Sequence, residues 1–189
     1  MNSRGKFLIV FLAVLIVIIV LVSSLAVYWN LSTRYEKRDV SNPSSDDRIE
    51  NFSDFSVDSR HITYLLNEIG AYRLHAPPFS SDRPKIQTVS DNKIFFSVVK
   101  KGGSIETTEG DQEDEDLIII ISGQEVYDSL ISSNTTEFIQ NSVIEGRTGI
   151  EIMAGETEMF GKGYLGLYKE LTGQDFGDLI SGAVIWWRD

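Results

Sequence analysis

The sequence predicts an α+β fold: an N-terminal transmembrane helix, then one domain with an antiparallel sheet of four to five strands packed by three to four helices. Three observations carry this. A run of 23 residues without a charge, Phe7 to Trp29, stands near the start. Strand-period segments cluster between residues 84 and 121. Capped segments of helical period flank that cluster, and strands grouped in this way belong to α+β rather than to α/β architecture.

The apolar run is the first element. About 20 apolar residues cross the hydrocarbon core of a bilayer as a helix. Leu, Ile and Val fill its middle, and Tyr28 and Trp29 stand where an interface belongs. In water it would expose more apolar surface than a soluble domain tolerates. The reading is an uncleaved signal-anchor over 7–29 behind a cytoplasmic N-terminus, 1–6. Ser24-Leu25-Ala26 loosely fits a signal-peptidase site, so a cleaved signal peptide stays open, although the run exceeds the usual h-region of about 7–15 residues. Arg4 and Lys6 precede it while Arg34, Lys37 and Arg38 follow, so basic residues hardly set its direction.

Charge then bounds the rest. From Asp39 onward 12 Lys/Arg face 27 Asp/Glu. That excess of acid argues against nucleic acid and anionic head groups as direct partners. It suits a solvated domain, and the expectation is a single-pass protein of the cell membrane whose C-terminal domain is extracytoplasmic. Its partners would be the bilayer, through 7–29, and a lipid-like ligand or an envelope protein. Asn30, Asn51 and Asn134 head sequons that matter only in such a setting. The absence of cysteine removes disulfides and thiolate chemistry.

Residues 30–57 are polar, without a steady period, and read as a linker. The domain follows over 58–189. Asp58 caps SRHITYLLNEI, where Ile62, Leu65, Leu66 and Ile69 share one helical face, and Gly70 ends it. His61 falls on the polar side. Pro77, Pro78 and Pro84 keep the next stretch out of a helix. PKIQTVS, KIFFSVVKK and SIETTEG then read as strands, separated by the turn pairs Asp91-Asn92 and Gly102-Gly103. The acid run EGDQEDED, 109–116, is a solvated hairpin end before LIIII, a strand apolar on both faces. Ser122 and Glu125 form a capping box for EVYDSLIS. TEFIQNSVIE is a helix, TGIEIMA a strand, and ETEMFGKGYLGLYKEL one further helix ended by Gly173.

In this order the chain resembles the sterol carrier protein type-two fold. LIIIISGQEVYDSLIS, TEFIQNSVIEG, TGIEIMAG and the Gly-rich helix carry the resemblance, over residues 85–172. It implies a tunnel between sheet and helices that takes lipids or acyl chains. The additional tail, ISGAVIWWRD, could fill or cap such a tunnel. RGKFLIVFLAVL is in turn similar to the start of a prepilin, although Lys6 follows Gly5 and no glutamate stands at the fifth mature position.

Gly161, Gly163 and Gly166 spell GxGxxG. Six residues, 155–160, separate the strand from Gly161, so the motif sits inside a helix rather than at a dinucleotide turn. Each glycine costs a helix about 1 kcal/mol relative to alanine. Two returns are open: tight packing on the sheet, or room for an acyl chain. For the second, Phe138, Ile139, Phe160, Gly163, Tyr164, Leu167 and Tyr168 are the lining candidates. Trp186 and Trp187 either close the core or touch a membrane or partner. His61 and His75 have no carboxylate at a spacing that selects a metal site, the acid run lacks the order of a calcium loop, and no nucleophile–base pair can be named. The expectation is a domain without catalytic residues, metal or cofactor that binds an acyl-chain-like ligand. The alternative is a structural or interaction protein of the cell envelope with a filled core.

Overall fold

The computed structural model describes residues 3–32, 35–44, 52–77 and 80–174. The chain forms two compact units, Met1–Arg34 and Tyr35–Asp189. The first is built on helix α1, Ser3–Ser32, whose side chains are described at 11–24 and 27. Here the sequence expectation is corrected. Among the described residues no helix is long and apolar enough to cross a membrane. The transmembrane helix over 7–29 and the single-pass, cell-membrane placement drawn from it fall with that finding.

The second unit holds the α+β domain. Part of the stretch expected as linker touches it: Asn42 Nδ2 donates to the Leu130 carbonyl at 2.7 Å, and Asn67 Nδ2 donates to that of Arg38 at 3.1 Å. Helix α2, Ser59–Glu68, starts where the Asp58 carboxylate accepts the N–H groups of Arg60 and His61. His61 Nδ1 accepts the Asp58 N–H in return, at 3.1 Å, so His61 takes the place that Glu or Gln holds in a capping box. It is 2% exposed, not on the polar side as its spacing suggested. Ile62, Leu65, Leu66 and Ile69 are buried as the periodicity requires. Each such side chain removed from water is worth about 1.5–3 kcal/mol.

The sheet comprises β1 (Lys85–Ser90), β2 (Lys93–Val99), β3 (Ile105–Glu109), β4 (Leu117–Ile120) and β5 (Gly149–Ile152), in the order β3-β2-β1-β4-β5. It is mixed, not antiparallel as expected, because β4 leaves β3 and pairs with β1 in parallel, Ile86 opposite Leu117 and Val89 opposite Ile120. The two hairpins follow their turn chemistry: Asp91, Gly102 and Gly103 all hold positive φ. Residues 110–116 are too many for such a turn and carry the chain from the sheet's edge to its middle. A strand's period of two reports which face is buried and not which neighbour it pairs with.

Helices α3 (Gly123–Ile131), α4 (Thr135–Ile144), α5 (Glu156–Gly161) and α6 (Tyr164–Thr172) complete the unit. Ser122 Oγ caps α3 by accepting the Glu125 N–H at 3.1 Å, and Asp91 in the β1–β2 turn accepts the Gly123 N–H at the same distance. The Asn134 side chain caps α4. One core joins α2, α3, α4, α5 and α6 to a single face of the sheet, through Ile86, Phe95, Val99, Leu117 and Ile119. The stretch ETEMFGKGYLGLYKEL, expected as one helix, is two. Gly163 has φ 84°, a left-handed turn that side chains rarely adopt, and the axis breaks there.

Candidate ligand groove and buried polar centres

The lining candidates read from the sequence do not converge on one cavity. Ile139, Tyr164 and Leu167 are members of the packed core. Phe138 is half-buried beneath the Arg147 guanidinium, 5.6 Å from its ring centre. Tyr168 is half-buried, and Phe160 is 76% exposed. Gly163 makes the break between α5 and α6, where a Cβ would come within 3.1 Å of the His75 ring. The His75 N–H donates to the Lys162 carbonyl at 3.1 Å, so this loop and the end of α5 are clamped together. Trp186 and Trp187 lie outside the described residues.

An open groove of about 500 Å³ runs instead between α4 and α6, lined by Gln140, Asn141, Ile144, Gly166, Lys169, Glu170 and Gly173. The residues of α4 stand at i, i+1 and i+4, and Gly166, Lys169 and Glu170 of α6 at i, i+3 and i+4, with Gly173 just past the helix end, so two helical stripes face one another. Gln140 Nε2 donates to the Glu170 carbonyl at 2.6 Å, which ties the helices at one point. The Glu170 carboxylate pairs with the Arg73 guanidinium. Gly166 leaves open space: a Cβ there would meet nothing within 4 Å. Ile144 is the one large apolar side chain of the lining, and it is exposed. Gly166 and Gly173 were visible in the sequence as helix breakers. What the sequence did not reveal is that the outward side of α6, not the inward one, is where they leave room.

Two carboxylates are drawn inside the domain. Asp116, last of the acid run, is buried rather than solvated with its neighbours. Its Oδ1 accepts Lys162 Nζ at 2.7 Å and its Oδ2 accepts the Lys85 N–H at 2.8 Å and the Tyr164 hydroxyl at 3.0 Å. Its carbonyl accepts the N–H groups of Met153 and Ala154, both at 3.0 Å. One residue thus joins β1, β4, the end of β5 and both halves of the broken helix. Lys162, 1% exposed, also contacts Asp82 at 2.6 Å. Burial alone would lower the Lys162 pKa, but the hydrogen bonds and charges of Asp116 and Asp82 outweigh it and hold the ammonium above its ordinary value. Burial first, then the Asp116 charge, pushes Tyr164 well above the usual phenol range. The Lys162 hydrogen bond draws Asp82 below the usual carboxylate range. The cluster is sealed from solvent on the Asp116 side, so its chemistry is that of a fastening.

Glu125 makes the second centre. Its Oε2 accepts the Ser142 hydroxyl at 2.7 Å and pairs with the Arg147 guanidinium, while Ser142 and Thr148 share a hydrogen bond of 2.8 Å. This ties α3 to the α4–β5 connection. Among the described residues no group of three or more His, Asp or Glu is arranged to hold a metal ion.

No protein-family model matches this chain, and no curated protein matches it. Solved structures do. "UbiJ-SCP2 Ubiquinone synthesis protein" is similar at 11% identity over 60% of this chain and 88% of that one, with a TM-score of 0.33. Sterol carrier protein 2 like 2 from Aedes aegypti is similar at 11% identity over 54% of this chain and 88% of that one, with a TM-score of 0.29. Both likenesses are weak. At TM-scores below 0.5 they carry no argument about a ligand.

Proposed function

We propose that this chain is a non-catalytic binding module that holds the acyl portion of a lipid-like ligand in the groove between α4 and α6. The observation that supports it is the groove's volume of about 500 Å³ together with its glycine wall. Ligand sites run from about 300 to 1,000 Å³. Gly166 on α6 and Gly173 just past its end let an apolar chain lie against the backbone. Asn141 and the ends of Lys169 and Glu170 offer polar contacts at its rim. The apolar tunnel expected through the interior gives way to this outer groove, because Ile139, Tyr164 and Leu167 spend their side chains on the core.

The test is uptake of a fluorescent fatty acid by the full chain, compared with Gly166→Leu. The substitution projects into open space and leaves the backbone unstrained, so it fills the groove without unfolding the domain. Saturable uptake that falls at least tenfold in the variant is expected. No uptake, or equal uptake by a folded Gly166→Leu, overturns the reading. The packed interior favours a second reading, an interaction protein with a filled core. Crosslinking that recovers one stoichiometric protein partner and no lipid would select it.

A further inference from the structure

Glu170 lines the groove between α4 and α6, yet its carboxylate is engaged elsewhere. It pairs with the guanidinium of Arg73, which ends the short 3-10 turn Ala71–Arg73 after α2. The carboxylate has a seat on that side. Gly70, at φ 91°, carries no side chain, and a Cβ there would come within 2.8 Å of Glu170 Oε2. The cation is fixed as well. Arg73 Nε donates to the Tyr72 hydroxyl at 3.1 Å, and the guanidinium lies 5.3 Å from the centre of the Tyr72 ring. Tyr72 is itself buried. Such a pair adds little to stability, because its side chains keep 55% and 39% of their exposure. Its consequence lies in the charge of the groove.

We propose that Arg73 is a positioning residue of the groove and decides which ligand charge the groove accepts. The inference rests on the reading of the groove as the ligand site. Arg73 neutralises Glu170 and holds its carboxylate against Gly70, so the groove admits an acyl chain that ends in a carboxylate. The chain has a net charge of −11, and an unneutralised carboxylate at the rim would add to a field that already repels anions. Repulsion between two such charges is strong where the surroundings are partly desolvated and weak across open water. An uncharged amphiphile of the same length does not feel the difference. Gln140 Nε2 donates to the Glu170 carbonyl at 2.6 Å, so the backbone of Glu170 stays tied to α4 whatever its carboxylate does. Removing the Arg73 cation therefore changes the charge of the rim and leaves the wall attached.

The full chain is titrated with a fluorescent fatty acid and with the fatty alcohol of the same length and fluorophore. Arg73→Gln is expected to weaken fatty-acid binding about tenfold at low salt and less at about 0.5 M salt, while alcohol binding stays within about twofold. Arg73→Lys keeps the cation and is expected to keep fatty-acid binding. Arg73→Gln combined with Glu170→Gln removes both charges and is expected to restore it. A merely structural role would move both probes together, and the second substitution would not rescue it. Equal weakening of the two probes overturns the inference and leaves the groove in place. So does an unchanged fatty-acid affinity in Arg73→Gln, or a double variant that fails to recover. A native chain that binds neither probe overturns the reading of the groove, and this inference with it.

Discussion

Asp116 and Glu125 are both carboxylates folded into the domain, and they are held in opposite ways. Asp116 faces a lysine that is itself 1% exposed, a buried phenol and a backbone N–H. Glu125 faces a serine hydroxyl and Arg147, whose side chain keeps 39% of its exposure. Around Asp116 both charges have left water, so each depends on the other for its solvation. Around Glu125 the cation stays half in solvent and would be rehydrated at little cost if its partner vanished. A buried pair is costly to break for this reason, although it adds little beyond an apolar pair of the same shape.

The largest expected effect breaks the first centre. Asp116→Ala leaves Lys162 buried with Asp82 alone and strands the Lys85 N–H. A loss of about 3–5 kcal/mol is expected, read as a lower urea midpoint at constant slope. A loss below 1 kcal/mol would mean that water reaches the cluster. Glu125→Ala is the matching substitution at the second centre. Ser142 keeps Thr148 as a partner and Arg147 moves out, so about 1–2 kcal/mol is expected. Equal losses at the two sites would refute the contrast between a dry and a half-wet centre.

Acid sharpens the comparison. Asp82 is held below its ordinary 3.8, first by the Lys162 hydrogen bond. A depressed carboxylate contributes stability that is fully present above its unfolded value and is lost as pH falls through the folded one. Lys162 is raised above 10.5, so its share is present below that value and lost as pH rises through the folded one. The stability difference between the native chain and Asp82→Asn is therefore expected to be flat from about pH 5 to 9. It should close below about pH 3.8. A difference that persists at pH 2 would show that the carboxylate acts through shape, not charge.

The pattern of the sequence reached the elements and stopped at their pairing. Ile62, Leu65, Leu66 and Ile69 announce α2 because burial acts on one side of a helix, and Asp58, Ser122 and Asn134 announce starts because a helix end needs a local acceptor. Both causes are local. Asp116 looked like its solvated neighbours because its partners, Lys85 and Lys162, stand 31 and 46 residues away. The parallel pairing of β1 with β4 was hidden for the same reason. So was the groove: glycines in α6 were evident, but whether each gives up its side chain inward or outward depends on where the helix breaks. Two of the three glycines, Gly163 and Gly166, turned out to serve different purposes.

That last point yields the smallest expected effects, of opposite sign. Gly163 sits at φ 84° with the His75 ring 3.1 Å from any added Cβ, so Gly163→Ala meets both backbone strain and a contact that must give. About 1–2 kcal/mol of destabilisation is expected. Gly166, three residues on, has ordinary helical backbone and empty space beside it. Alanine there adds no contact and removes the entropy that glycine retains in the unfolded chain. Gly166→Ala is expected to stabilise the domain by about 0.5–1 kcal/mol, seen as a raised melting temperature. If it destabilises instead, the wall of the groove is already in contact with something, and the groove is not free to take a ligand.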